Sequence, residues 1–258
     1  MNAQKAELVS RSTKYKQHVD VVVYTMGKVG SSSVSTSLIA AGFSCLDIHF
    51  WEKGRYLEFL AHTMSDPEVP VIPKHAIETL MARNALAKQK RLKIISLVRN
   101  PIMRNISAVF QNMPKSASGD MEQMIARLRN YSVRMPDHWF EKDFIPTTGL
   151  NVLEMDLDRS ADHYRFETDL FDILIMKLEI EDERKSALIS QFMRKPVELE
   201  RTNEAKKKWY FEAYSKIVND PDLVRPGFVQ ECLRLKSYRA FYAAEDALRL
   251  AQKYGAGV

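Results

Sequence analysis

At 258 residues the chain is long enough for one large α/β domain with a sizeable buried core. Its apolar fraction of 45% and charged fraction of 28% are those of a globular protein. A net charge of +5 and a pI near 9.0 favour anionic ligands. The basic residues are dispersed apart from Lys206-Lys207-Lys208, which reads as a solvated helix face, so a nucleic-acid partner is not expected.

Two cysteines, Cys45 and Cys232, lie far apart and outside any metal-ligand spacing. They predict neither a disulfide framework nor a bound metal, and they favour a reducing, cytoplasmic setting. The polar stretch Asn2–Asp20 lacks the apolar core of a signal peptide. No apolar run approaches the ~20 residues of a membrane span, so none is expected. Oligomeric state is unread.

Residues 1–18 form a polar arm. A strand is predicted at Val19–Thr25, a Gly/Ser loop after it, and a helix from Ser33 to Ala41 closed by Gly42. Phe43–Phe50 reads as a second strand and Glu52–Met64 as a helix. Val69–Ile72 is a candidate strand leading into Lys74-His75, with a helix at Ile77–Lys88. Leu92–Val98 has the continuous β-rich run of a buried parallel strand. It ends in Arg99-Asn100-Pro101, whose proline suits the first turn of a helix at Ile102–Gln111.

Pro114–Gly119 reads as a loop and Asp120–Val133 as a helix with a Met-rich stripe. Val152–Leu157 reads as a short strand or hairpin arm, and Leu170–Leu178 as another buried strand ending at Glu179. Helices follow at Asp182–Met193, Asn203–Val218 and Phe228–Tyr254, the last with a break near Leu235–Ser237. Alternating strands and helices predict an α/β fold, a parallel sheet flanked by helices, with a helical C-terminal portion from 182 to 258. The whole reads as a single domain.

Ligands of such sheets bind beyond the carboxyl ends of the strands. Gly27–Ser33, His49, Lys74-His75 and Arg99 each follow a predicted strand, so they are expected to converge on one site. The loop Met26-Gly27-Lys28-Val29-Gly30-Ser31-Ser32-Ser33 has the composition of an anion cradle. Glycines permit close backbone approach, successive N–H groups and a helix N-terminus face the anion, and Lys28 adds charge. It fails the Walker pattern, which needs lysine directly after the second glycine. A plain Gly/Ser turn is the alternative for the loop alone. Arg99 at a strand end can grip a phosphate bidentately, and Ser107, about two helical turns on, can add a donor.

Together the two stretches resemble sulfotransferases that use 3′-phosphoadenosine 5′-phosphosulfate (PAPS). The loop is similar to their 5′-phosphosulfate motif, P-K-[ST]-G-[ST]-[ST], with Gly27 in place of proline. Arg99 to Ser107, with Arg104, resembles the 3′-phosphate motif R-[DN]-P-x-x-R-x-x-S-x-[YF] of Golgi-type and bacterial carbohydrate sulfotransferases, with the aromatic Phe110 one place beyond Val109. Leu174–Leu178 with Glu179 is similar to a later family strand ending in an acidic residue. Asn203 and Lys207-Lys208-Trp209-Tyr210 resemble the N-K-W-Y-S motif of bacterial capsular polysaccharide synthesis proteins, without its serine.

The resemblance implies a P-loop-like sheet and transfer of a sulfuryl group from PAPS to a hydroxyl, with a carbohydrate or polysaccharide as acceptor. It places Gly27, Lys28, Val29, Gly30, Ser31, Ser32 and Ser33 on the 5′-phosphosulfate, with Lys28 at the leaving oxygen, and Arg99 and Ser107 on the 3′-phosphate. No metal is implied. His75 is the first choice of general base, because Lys74-His75 resembles the lysine–histidine pair of cytosolic sulfotransferases. His49, Glu52 and Glu179 are the other candidates. Trp51, Trp139, Trp209 and Tyr210 are core residues or an adenine or sugar platform. The competing readings are a P-loop-like kinase or nucleotide hydrolase, and a non-catalytic protein of this fold in polysaccharide assembly.

Overall fold

A computed structural model describes residues 18–65, 72–111, 120–200 and 209–256. The N-terminal arm, nearly all of the Val69–Ile72 stretch, the Pro114–Gly119 loop, Asn203 and Lys206–Lys208 lie outside the described residues.

Five strands form one sheet in the order β2-β1-β3-β5-β4. β1 (Val21–Tyr24) carries the β-branched run and is buried along its whole length. It pairs in parallel with β2 (Cys45–Ile48), Val21 opposite Cys45, and with β3 (Leu92–Val98), Val22 opposite Ile94. β3 pairs in parallel with β5 (Phe171–Lys177), Leu92 opposite Phe171. Such strands, apolar on both faces, are those of a helix-covered parallel sheet.

The sheet is not purely parallel. β4 (His163–Glu167) runs antiparallel to β5 at the edge, joined by a turn in which the Thr168 amide donates to the Phe171 carbonyl at 2.8 Å. This strand is absent from the sequence reading because only Tyr164 of its five residues is buried. The strand or hairpin arm expected at Val152–Leu157 is instead a chain of turns.

The helices begin with α1 (Ser31–Ala40), α2 (Lys53–Met64), α3 (Lys74–Lys88) and α4 (Pro101–Gln111). α1 packs on β1 and β2, and α3 on β2. Next come α5 (Met121–Arg129) and α6 (Met135–Trp139). α6 continues through a π-helical turn (Phe140–Phe144) into α7 (Ile145–Thr148). The C-terminal portion contains α8 (Asp182–Met193), α9 (Phe211–Asn219), α10 (Pro226–Leu233), α11 (Lys236–Phe241) and α12 (Ala244–Lys253). α4 lies against α5, α9 and α10.

The chain leaves β1 for β2 on one side and returns to β3 on the other, which makes the gap between the ends of β1 and β3 the switch point. Open α/β sheets bind ligands there. The Gly27–Ser33 loop follows β1 and Arg99 follows β3, so both flank that gap. The π-helical turn fixes the floor of the neighbouring loop. Asp143 is fully buried, and its Oδ1 accepts from the Tyr24 hydroxyl and from the amides of Trp51 (2.8 Å) and Glu52 (3.2 Å). The Trp139 indole donates to the His49 carbonyl at 2.9 Å. Trp51 and Trp139 are therefore core residues, 4% and 1% exposed, and offer no platform to a ligand.

Candidate functional site

Two left-handed residues shape the loop after β1. Lys28 has φ 72° and Gly30 has φ 81°. Between them Val29 is completely buried and anchors the turn in the core. Glycine is required at position 30 twice over. A Cβ there would lie 2.7 Å from Leu178 Cδ1, and φ is positive. Position 27 is different: a Cβ would sit 3.8 Å from His49 Nε2, an ordinary contact. A Cβ is thus accommodated, so Gly27 is not a steric necessity. Lys28 has no such excuse. A non-glycine in this region costs about 1–2 kcal/mol, and such outliers concentrate where function demands them.

α1 begins at Ser31 with Gly30 as N-cap and no side chain capping it. The first amides of a helix have no intrahelical acceptor, and the helix dipole leaves partial positive charge there. An uncapped start directly after two left-handed residues has the main-chain geometry that suits an anion. Ser31 is buried, Ser32 exposed and Ser33 half-buried.

Two arginines from the far side of the gap hold this loop. Arg99 donates through NH1 to the Lys28 carbonyl at 2.9 Å and through NH2 to the Tyr214 hydroxyl of α9 at 3.2 Å. A guanidinium has five donors, so three of those on Arg99 are uncommitted among the described residues. Arg104, 4% exposed, donates through Nε to the Gly27 carbonyl at 3.3 Å and through NH1 to Asn105 Oδ1 (2.9 Å) and the Tyr131 hydroxyl (3.2 Å). Ser107 is half-buried on α4, three residues beyond Arg104 and so on the helix face that Arg104 turns toward the loop. Its hydroxyl makes no hydrogen bond among the described residues.

The turn that carries Arg99 is fixed by Glu179. Its Oε1 accepts from the Asn100 amide at 2.7 Å and its Oε2 from the Tyr242 hydroxyl at 3.0 Å. Asn100 in turn accepts the Ile102 amide at 3.0 Å, starting α4 as an aspartate would. Glu179 thus has both oxygens engaged. Glu52 caps α2, accepting the Arg55 amide at 2.9 Å. Neither carboxylate is placed as a free proton acceptor.

The two histidines form a pair, with ring centroids 4.4 Å apart. His49 follows β2 and its Nδ1 donates to the Thr25 carbonyl at 2.8 Å. The strand expected before His75, at Val69–Ile72, lies almost wholly outside the described residues. Pro73 sets up the start of α3, so His75 lies in that helix's first turn, its Nδ1 donating to the Asp47 carbonyl at 2.8 Å. A carbonyl only accepts, so each neutral ring carries its proton on Nδ1 and keeps Nε2 as a lone pair. The Nε2 recorded against the loop is that of His49, beside Gly27.

Burial, then the neighbouring His75 and more weakly Lys28, push His49 down to about 4, against the pull of Asp47. Between pH 4 and 6.5 the unfolded chain binds this proton and the folded chain does not, so stability rises with pH across that window. We expect denaturant titrations of the wild type to lose roughly 2 kcal/mol as pH falls from 6.5 to 4. His49→Asn should flatten that slope, and an unaltered slope in the variant would remove His49 as its source.

Among the described residues no group of three or more His, Cys, Asp or Glu side chains could hold a metal ion, and no helix is long and apolar enough to cross a membrane. Cys45 and Cys232 are free and buried. Tyr210 is core-packed at 8% exposure and Trp209 is half-buried beside it, with ring centroids 5.4 Å apart. Tyr214 and Tyr131, which brace the two arginines, are the site residues that no motif marked.

The fold and this gap define an α/β protein with a left-handed Gly/Ser loop and an uncapped helix start at its switch point. Residues 120–243, just under half of the chain, match the family described as NKWYS, putative capsular polysaccharide synthesis protein. The matched stretch includes Trp209-Tyr210 and lies C-terminal to both the loop and Arg99. No curated protein and no solved structure matches the chain.

Proposed function

We propose that the chain is a sulfotransferase that moves the sulfuryl group of PAPS to a hydroxyl of a carbohydrate or polysaccharide. One observation carries this reading: a left-handed turn, Lys28 to Gly30, opens onto an uncapped helix start and is pinned across the switch point by Arg99. The family match over residues 120–243 supports a polysaccharide as acceptor.

The residues fit the donor. The amides of Gly30 to Ser33 and Lys28 would hold its 5′ end, and the uncommitted donors of Arg99 with the Ser107 hydroxyl its 3′-phosphate. PAPS supplies, when bound, an activated sulfuryl group and a phosphate leaving group. The chain positions these charges and stabilises those that develop in an in-line transfer. His49, neutral and with Nε2 beside the loop, is better placed than His75 to take the acceptor proton.

The test is calorimetric binding of 3′-phosphoadenosine 5′-phosphate to the full chain, with AMP as the control lacking the 3′-phosphate. Wild type should bind the bisphosphate far more tightly than AMP. Arg99→Ala should weaken it at least about tenfold, the loss of one charge-assisted pair, and leave AMP affinity almost unchanged. Equal affinity for the two nucleotides would sink the assignment.

A further inference from the structure

A second cavity lies away from the loop, among the C-terminal helices. It encloses about 300 Å³ between α10, α11, α12 and the turn at Arg159. Its walls include Leu233 and the stacked rings of Tyr238 and Tyr242, whose centroids are 5.0 Å apart at 8°. Three exposed guanidiniums line it, those of Arg159, Arg234 and Arg239. None of the three makes an ion pair or hydrogen bond among the described residues.

The acidic groups nearby are otherwise engaged. Asp246 pairs with Arg249, and Glu179 accepts from Asn100 and Tyr242. Lys177, over the Tyr242 ring at 5.3 Å, donates to the Arg159 carbonyl at 2.7 Å. The cavity therefore carries uncompensated positive charge. Tyr238 is 2% exposed and its hydroxyl is buried, so it contributes ring surface to the wall.

We infer that this cavity is a second ligand site, for an anionic saccharide such as a uronic-acid unit of an acidic polysaccharide. Guanidiniums match a carboxylate bidentately. The tyrosine and leucine walls suit the C–H face of a sugar ring. The choice of a saccharide rests on the proposed polysaccharide acceptor. The anion preference rests only on the arginines. Tyr242 connects the wall to Glu179, and Glu179 to the Asn100 amide, so the site adjoins the turn that carries Arg99.

The experiment is calorimetric titration of the full chain with a glucuronate-containing tetrasaccharide, a neutral glucose tetrasaccharide and sodium sulfate. The acidic saccharide should bind at least about tenfold more tightly than the neutral one, as one charge-assisted contact would give. Arg234→Ala with Arg239→Ala should remove that preference. Arg225→Ala, which breaks an exposed pair with Glu231 outside the cavity, should leave it intact. Equal binding of acidic and neutral saccharides, or an equal loss in Arg225→Ala, would overturn the site. Sulfate binding as tightly as the acidic saccharide would reduce it to an ion site and overturn the saccharide assignment. Binding of the bisphosphate nucleotide is measured separately, so failure here leaves the donor assignment standing, and the reverse.

Discussion

Lys28→Ala should lower sulfuryl transfer by about 10²–10³-fold, the usual loss when one stabilising donor is removed from a reacting centre. Affinity for the bisphosphate product should fall less, because the charge matters most as the leaving phosphate develops. Lys28→Gly should cost the same activity and yet stabilise the fold by roughly 1 kcal/mol, since φ 72° is unstrained for glycine. Opposite signs in stability and turnover from one substitution would mark the strain at Lys28 as retained for function. If Lys28→Gly kept full turnover, the lysine would have no part in the reaction.

The largest effect on stability is expected at Asp143. Alanine there would strip the acceptor from the Tyr24 hydroxyl and from the Trp51 and Glu52 amides, beside side chains that are 0% and 4% exposed at Tyr24 and Trp51. Leaving such donors unsatisfied should cost about 3–5 kcal/mol in urea denaturation. Asp143→Asn keeps an oxygen acceptor, and burial already pushes the Asp143 carboxyl above the ordinary carboxylate range. That variant should lose no more than about 1.5 kcal/mol, the scale of one ordinary hydrogen bond. Equal losses in the two variants would show that the charge, not the acceptor, holds the π-helical turn to the loop at Trp51.

Much of the scaffold could be read from local pattern. β3 and α8 match their expected limits because a continuous apolar run stops at Arg99-Asn100-Pro101 and an acidic first turn opens at Asp182. The loop's place was legible because its glycines and serines sit between a β-branched run and a helix. What stayed hidden depends on contacts across long stretches of chain. Arg99 bonds Lys28 across 71 positions and Tyr214 across 115, and neither spacing leaves a trace in sequence. Asp143 looks like a surface residue between aromatic neighbours, and only the π-helical turn buries it. The helix that carries His75 starts at Lys74 after Pro73, ahead of the Ile77 start that its apolar spacing suggested. The approach of Nε2 to Gly27, which no motif marks, distinguishes His49 as the histidine beside the loop.

The bonds from Arg99 and Arg104 to the loop also give it an electrical direction. The carbonyls of Lys28 and Gly27 are turned toward guanidiniums and occupied by them. Carbonyl oxygens are what a loop would offer to a hard cation. With two of them already taken, the strip from Gly27 to Ser33 is sorted by sign: acceptors face the arginines, and the donors of the α1 start are left for whatever arrives. On the proposed reading the loop would act as a rectifier, favouring negative over positive charge before any of its side chains has made a contact.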